Sequence, residues 1–280
     1  MKLATLRTPS GTRVARVDGD ELIVIDDPAI ADVGDLLDRP DWDTLAAAAD
    51  GPRQSLDGAD LGPLIARPGK IICVGLNYRS HILEMGRDLP EFPTLFAKFP
   101  DTLTGPYDAI VAPEEDLQLD WEAELTVVVG QVVRHADHAA AQAAIAGYTV
   151  ANDISMRGYQ FRTKEWLQGK MWDRSTPVGP VMVTTDEWAP GSSISTVVNG
   201  ATMQDASTGD LVHDPVTLVS YLSTMITLRP GDLILTGTPG GVAHARKPPP
   251  YLRAGDVVET SIDGIGTLRN TIVAPAGSGA

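Results

Sequence analysis

The chain has 280 residues, with 22 basic and 37 acidic side chains, a formal charge of −15, and 43% hydrophobic residues. That balance argues against nucleic-acid binding, which needs basic surface. No apolar run approaches the roughly 18–20 residues of a membrane helix. The N-terminus lacks the apolar stretch of a signal peptide, and the lone Cys73 cannot form an internal disulfide, so a cytoplasmic location is expected.

Taken in chain order, "KLATLR", "TRVARVD" and "ELIVID" read as short strands separated by turns. "DVGDLLDRPDWDTLAAAAD" reads as helical with a break near Pro40, and the Gly/Pro/Asp-rich "GPRQSLDGADLGPLIARPGK" as a linker. Residues 1–66 are therefore expected to form a small N-terminal α/β domain, and 67–280 a larger, mainly β domain. "KIICVGL", "LTVVVGQVV" and "YTVANDIS" read as strands, with Cys73 a small core residue of the first. "DHAAAQAAIAG" reads as a helix capped by Asp137 and stopped at Gly147. Asn199-Gly200 marks a hairpin turn. "DPVTLVSYLSTMI" reads as a helix capped by Asp214 with Pro215 in its first turn. Its Leu218, Val219, Leu222, Met225 and Ile226 are expected on one apolar face. "DLILTG", "DVVETSI" and "GTLRNTIV" complete the strands, and residues 273–280 are expected to be a disordered tail. Segregated strands with few helices define an α+β, mostly β protein. The glycines of "GDLILTGTPGG" lack the spacing of a nucleotide-binding loop.

"LDWEAELTVVVG" places Glu122 and Glu124 at the head of a strongly apolar run. Side chains two apart on a strand share a face. Two ionised carboxylates held together repel, and burial sharpens the conflict. A divalent cation resolves it, and an all-oxygen donor set suits Mg²⁺, Mn²⁺ or Ca²⁺. Asp153, in "YTVANDIS", offers a third carboxylate. The plain alternative is an exposed strand start at Glu122–Glu124 and a turn cap at Asp153.

Six segments occur in order: "ICVGLNYRSHILEMG", "DWEAELTVVVG", "GYTVANDIS", "QGKMWDRSTPVGP", "RPGDLILTGTPGGV" and "GDVVETSIDGIGTLRN". Together they resemble the fumarylacetoacetate hydrolase family over about residues 70–273, closest to its bacterial acylpyruvate and fumarylpyruvate hydrolases. The resemblance implies a mixed β-sandwich or β-roll core, a bound Mg²⁺ or Mn²⁺, and a homodimer. It implies Glu122, Glu124 and Asp153 as metal ligands. It implies His81 as a general base oriented by Glu84, three residues on, a pair that otherwise reads as a solvated ion pair. Lys170 is implied as the cation beside a developing oxyanion. Arg157 and Gln160 are implied substrate ligands, although Gly158 stands where the family often has aspartate. Thr238, which otherwise reads as part of a tight turn, and Tyr78 are further implied substrate ligands, and Lys98 lies in a matching segment. The implied reaction is metal-dependent C–C hydrolysis of an acylpyruvate-type 2,4-dioxo acid, such as fumarylpyruvate, through a metal-bound enolate. Oxaloacetate decarboxylation or isomerisation of an unsaturated 2-hydroxy-dioate is the alternative. A catalytically silent 2-oxo acid binder is a further reading, which the presence of every expected catalytic residue disfavours.

Overall fold

In the computed structural model, the described residues are 1–84, 86 and 88–275, without the side chain of Glu84. The chain opens with β1 (Lys2–Thr8), β2 (Gly11–Asp18) and β3 (Glu21–Val24), then α1 (Val33–Leu37), α2 (Trp42–Ala47) and β4 (Arg53–Ser55). Next come β5 (Ile71–Gly75), α3 (Arg79–Glu84), β6 (Thr94–Lys98), β7 (Leu103–Thr104), β8 (Ile110–Val111), β9 (Leu119–Asp120) and β10 (Ala123–Val129). They are followed by α4 (His138–Ala143), β11 (Ile145–Asn152), β12 (Ser155–Met156), α5 (Arg157–Gln160) and β13 (Thr176–Thr184). The chain ends with β14 (Ser193–Val198), β15 (Ala201–Ser207), α6 (Pro215–Ser223), β16 (Leu233–Leu235), β17 (Val257–Ile262) and β18 (Gly266–Val273). The architecture is mostly β with short helices, as expected.

A large mixed sheet runs in the order β4-β3-β2-β1-β13-β11-β10-β16-β5-β6, with β7 beside β13. A second sheet, β15-β14-β17-β18-β8, packs against it. One apolar core lies between the sheets, joining Leu125 and Val127 of β10 to Ile194, Ile262 and Leu268. Another lies on the far face, where Val33, Leu36 and Leu37 of α1 cover Val128, Ala151 and Leu235. Strands buried on both faces read as continuous apolar runs, which is why β10 and β11 are so hydrophobic.

Several local expectations need correction. Residues 51–70 are not a free linker: β4 pairs with β3, and Leu61, Leu64 and Ile65 are buried. The helix capped by Asp137 ends at Ala143, and Ile145 already begins β11. Gly147 is no helix stop; a Cβ there would lie 2.3 Å from the Val183 carbonyl oxygen, so the β11–β13 contact demands glycine. The strand expected to run on from "LTVVVG" ends at Val129. α6 keeps its Asp214 cap and Pro215 but stops at Ser223, leaving Met225 and Ile226 exposed beyond it. Val273 closes β18, so the expected tail begins later; residues 276–280 lie outside the described residues.

Candidate metal centre and its cavity

The antiparallel pairing of β10 with β11 sets Ala123 opposite Asn152 and Glu124 opposite Ala151. The head of β10 therefore meets the tail of β11. Glu122, one residue before β10, accepts the Asp153 N–H on its carbonyl at 2.9 Å. One carboxylate oxygen each from Glu122, Glu124 and Asp153 lies within 4.8 Å of the others, and all three residues are buried. β16 pairs antiparallel with β10 and parallel with β5, so the Thr236–Thr238 turn and Gly75 arrive at the same end of the sheet.

Cations surround two of the three acids. Lys170 Nζ lies 2.8 Å from Glu122 Oε2 and 2.7 Å from Asp153 Oδ2. Lys98 Nζ reaches Asp153 Oδ1 at 2.6 Å. Arg157 pairs with Glu122 through Nη2 at 2.7 Å and with Asp120 through Nε at 2.8 Å, while its Nη1 donates to Gln160 Oε1. Asp120 accepts three further N–H bonds, from Trp121, Ala243 and His244. Glu124 differs: among the described residues no cation pairs with it, and its Oε2 accepts the Gly237 N–H at 2.7 Å.

The proton preferences follow from this arrangement. Burial, then Asp153 and Glu122, push the Glu124 carboxyl well above the usual range. Burial works the same way on Asp153, but Lys170 and Lys98 outweigh it and hold that carboxyl low. For Lys170, burial disfavours the charge, yet Asp153 and Glu122 dominate and raise its pKa. A buried, unpaired carboxylate beside two others is the donor set a hard divalent ion fits. The residues thus suit Mg²⁺ or Mn²⁺.

The centre opens into a cavity of about 380 Å³ that Glu122, Glu124, Lys170, Arg157, Gln160 and Thr238 line from one side. Phe96, Phe161, Trp166, Val242, His81 and His244 line the rest. Gly75 is needed here, because a Cβ would sit 2.3 Å from the Trp166 ring. A larger cleft, of about 690 Å³, lies beside Lys2, Arg16 and Tyr107, but the clustered acids are not in it. Chemistry, not volume, picks out the site.

The structure brings most of the expected residues together and sets one apart. His81, on α3, faces the cavity. The helix places Glu84 one turn on, but its side chain lies outside the described residues. Thr238 accepts a hydrogen bond from Gln204 Nε2 at 2.8 Å. Tyr78 is fully buried, its hydroxyl has no hydrogen-bond partner among the described residues, and it is not among the cavity-lining residues. Arg157 is committed to Asp120, Glu122 and Gln160, so it braces Glu122. The glycine at 158 has a local cause: a Cβ there would meet the Asp116 carboxylate at 2.7 Å, and Asp116 already accepts the Tyr159 N–H. Sequence reasoning missed Asp120, Phe161, Trp166 and His244. Asp120 alone carried a signal, as the third acid of "LDWEAE".

A mostly β fold with a buried all-carboxylate cluster, paired with lysines and opening to a cavity, gives an enzyme-like site that could hold a divalent ion. Residues 70–273 match the model of the fumarylacetoacetate (FAA) hydrolase C-terminal family, and the chain belongs to that family. It is 42% identical over 212 residues to rat oxaloacetate tautomerase Fahd2a, mitochondrial, covering 75% of this chain and 68% of the relative. The fumarylacetoacetate hydrolase of Exiguobacterium antarcticum superposes with a TM-score of 0.88 at 34% identity, covering 98% of this chain and 99% of that one. The 2-hydroxyhepta-2,4-diene-1,7-dioate isomerase of Mycobacterium marinum gives 0.80 at 31% identity, with 99% of each chain covered.

Proposed function

We propose that the protein is a divalent-metal-dependent hydrolase that cleaves a C–C bond of an acylpyruvate-type 2,4-dioxo acid. The observation that carries this reading is one cavity lined by Glu122 and Glu124 of the acid triad, Lys170 and His81, together with the aromatic side chains Phe96, Phe161 and Trp166; Asp153 lies against the same two acids. Those aromatic side chains give room and apolar surface for an acyl group larger than the far carboxylate of oxaloacetate.

Glu122, Glu124 and Asp153 would hold the Mg²⁺ or Mn²⁺, which when bound supplies Lewis acidity toward the carboxylate and 2-oxo oxygens of the substrate. The chain's own groups do the rest. His81, which the family resemblance pairs with Glu84, takes a proton from water. The water oxygen bonds to the distal carbonyl carbon; the bond from that carbon to C3 then breaks, and its electron pair leaves with the pyruvate fragment. The proton on His81 returns to C3, giving pyruvate and a carboxylic acid. Lys170 spends two N–H bonds on Glu122 and Asp153 and offers its third to the developing oxyanion. Thr238 accepts from Gln204, so its own hydroxyl proton is free for the substrate carboxylate. Gln160, fixed by Arg157, contributes its amide. Tyr78, expected as a substrate ligand, does not line the cavity and is given no part in this mechanism.

The rat relative's printed activity favours a second reading, in which the same groups only move a proton between C3 and the enol oxygen of oxaloacetate. Decarboxylation of oxaloacetate and isomerisation of an unsaturated 2-hydroxy-dioate belong with it. Incubation with Mg²⁺ or Mn²⁺ separates them. Loss of the acylpyruvate enol absorbance with equimolar pyruvate and carboxylic acid supports hydrolysis. Equilibration of oxaloacetate enol without pyruvate supports tautomerisation, and pyruvate with CO₂ supports decarboxylation.

We also propose a homodimer, on the family resemblance. The cytoplasmic expectation rests on the single reduced cysteine, and the rat relative is mitochondrial by name. Among the described residues no helix is long and apolar enough to cross a membrane.

A further inference from the structure

His244 stands at the cavity mouth and plays no part in the mechanism above. Its backbone N–H donates to Asp120 Oδ2 at 2.9 Å; Asp120 holds Arg157, and Arg157 holds Glu122. The acid triad and the His244 segment are therefore fixed relative to each other through three polar links. The imidazole packs on the Phe161 ring with centroids 4.7 Å apart. Its Nδ1 meets the Tyr251 hydroxyl at 2.9 Å, and Tyr251 donates to Gln118 Oε1 at 3.3 Å. With the phenol proton on Gln118, Nδ1 carries the donated proton. Nε2 is then the ring's open position, and among the described residues it has no hydrogen-bond partner.

We infer that His244 anchors the end of the substrate remote from the acid triad by pairing its Nε2 with a terminal carboxylate. This rests on reading the site as one for 2-oxo acids and names the substrate class: acylpyruvates whose acyl group itself ends in a carboxylate. The other cations on the cavity wall, Lys170 and Arg157, are already paired with protein carboxylates. The N–H and O–H dipoles of the His244–Tyr251–Gln118 chain both point away from the ring, the orientation that favours an imidazolium. The charged and titratable groups facing His244 are Arg157, Asp120 and Tyr251. Burial and Arg157 hold the imidazole below its ordinary pKa, against Asp120. The unliganded ring is therefore neutral near pH 7, and pairing with a carboxylate takes up a proton. Affinity for the terminal carboxylate must weaken as pH rises.

The test compares fumarylpyruvate, which ends in a carboxylate, with acetylpyruvate, which does not, in the full-length metal-loaded protein. His244→Ala should lower the kcat/KM preference for fumarylpyruvate by about tenfold or more, the weight of one charge pair, through KM rather than kcat. The wild-type preference should fall with rising pH. His244→Gln, whose amide donates without titrating, should keep part of the preference with a flat pH profile, and Tyr251→Phe should lie between. An unchanged preference, an equal loss on both substrates, or an unaltered pH profile in the variants overturns the inference. If the wild-type protein cleaves neither compound, the hydrolase reading fails instead. Calorimetric affinities of the same two uncleaved ligands then decide the role of His244 by the same comparison.

Discussion

Lys170 and Asp153 form an ion pair at 2.7 Å in which neither side chain is more than 1% exposed. With Glu122 on the same ammonium, and Lys98 and Arg157 beside them, two acids of the centre are ion-paired, while Glu124 has no cationic partner among the described residues. Removing one partner of such a buried pair typically costs about 3–5 kcal/mol. Lys170→Met should lower the melting temperature clearly in chelator, with part of the loss restored by Mn²⁺, and should slow turnover about a hundredfold. Thermal melts with and without metal read the first effect; a variant that melts like wild type in both conditions contradicts the pairing.

Glu124 gives the centre a pH signature. Its folded pKa lies above the unfolded value, so the metal-free protein is most stable below the unfolded pKa and loses that stability as pH rises through the folded one. Metal must displace the Glu124 proton. Mn²⁺ affinity should therefore rise with pH, approaching tenfold per unit where one proton is released. Calorimetry in buffers of different ionisation enthalpy counts that proton, and a count of zero at every pH from the acid to the alkaline side of the binding range contradicts the assignment.

Asp108, in the loop between β7 and β8, ties that loop to Arg7 of β1 in the large sheet. Its two oxygens receive Arg7 at 2.8 and 2.6 Å, with Thr104 and the Gly105 N–H at 2.7 and 2.8 Å. Burial opposes ionisation, but these partners prevail and hold the carboxyl at about 2. The group's folded pKa is depressed, so its stabilisation is present above the unfolded value of 3.8 and is lost as pH falls from there through 2. The shift corresponds to about 2 kcal/mol. Asp108→Ala should lose about that much at pH 7, by denaturant unfolding, and should show a smaller further loss on acidification than wild type does.

Gly158 marks a departure that the structure explains. Aspartate there would place a second carboxylate against Asp116, within 3 Å of its Cβ. Gly158→Asp should destabilise the protein by a few kcal/mol through overpacking and like-charge contact. It should also disturb Arg157 and thus raise the Mn²⁺ dissociation constant. Combining it with Asp116→Gly should recover most of both losses; no recovery contradicts the steric account.

The acid cluster was legible because strand alternation is local: Glu122 and Glu124 share a face whatever the rest of the chain does. Asp153 followed because an acid in an apolar strand needs a reason to be there. Helix ends were less legible. The alanines after Asp137 suit a helix to Gly147, yet the demand of β13 for a close strand converts Ile145–Asn152 into β11. Residues 51–70 carry turn-rich composition, while their three apolar side chains find a core only through long-range contacts. Tyr251 is seven residues from His244, but Phe161 precedes His244 by 83 and meets it only in the folded chain.

The central claim is that Glu122, Glu124 and Asp153 together hold one divalent ion. A titration of the metal-stripped protein with Mn²⁺, following free Mn²⁺ by its magnetic-resonance signal, tests it directly when run beside Glu124→Gln and Asp153→Asn. The account predicts one ion per chain in the wild type and an affinity weaker by about a hundredfold or more in each variant. Wild-type protein that leaves Mn²⁺ free, or variants that bind it as tightly as wild type, would contradict it.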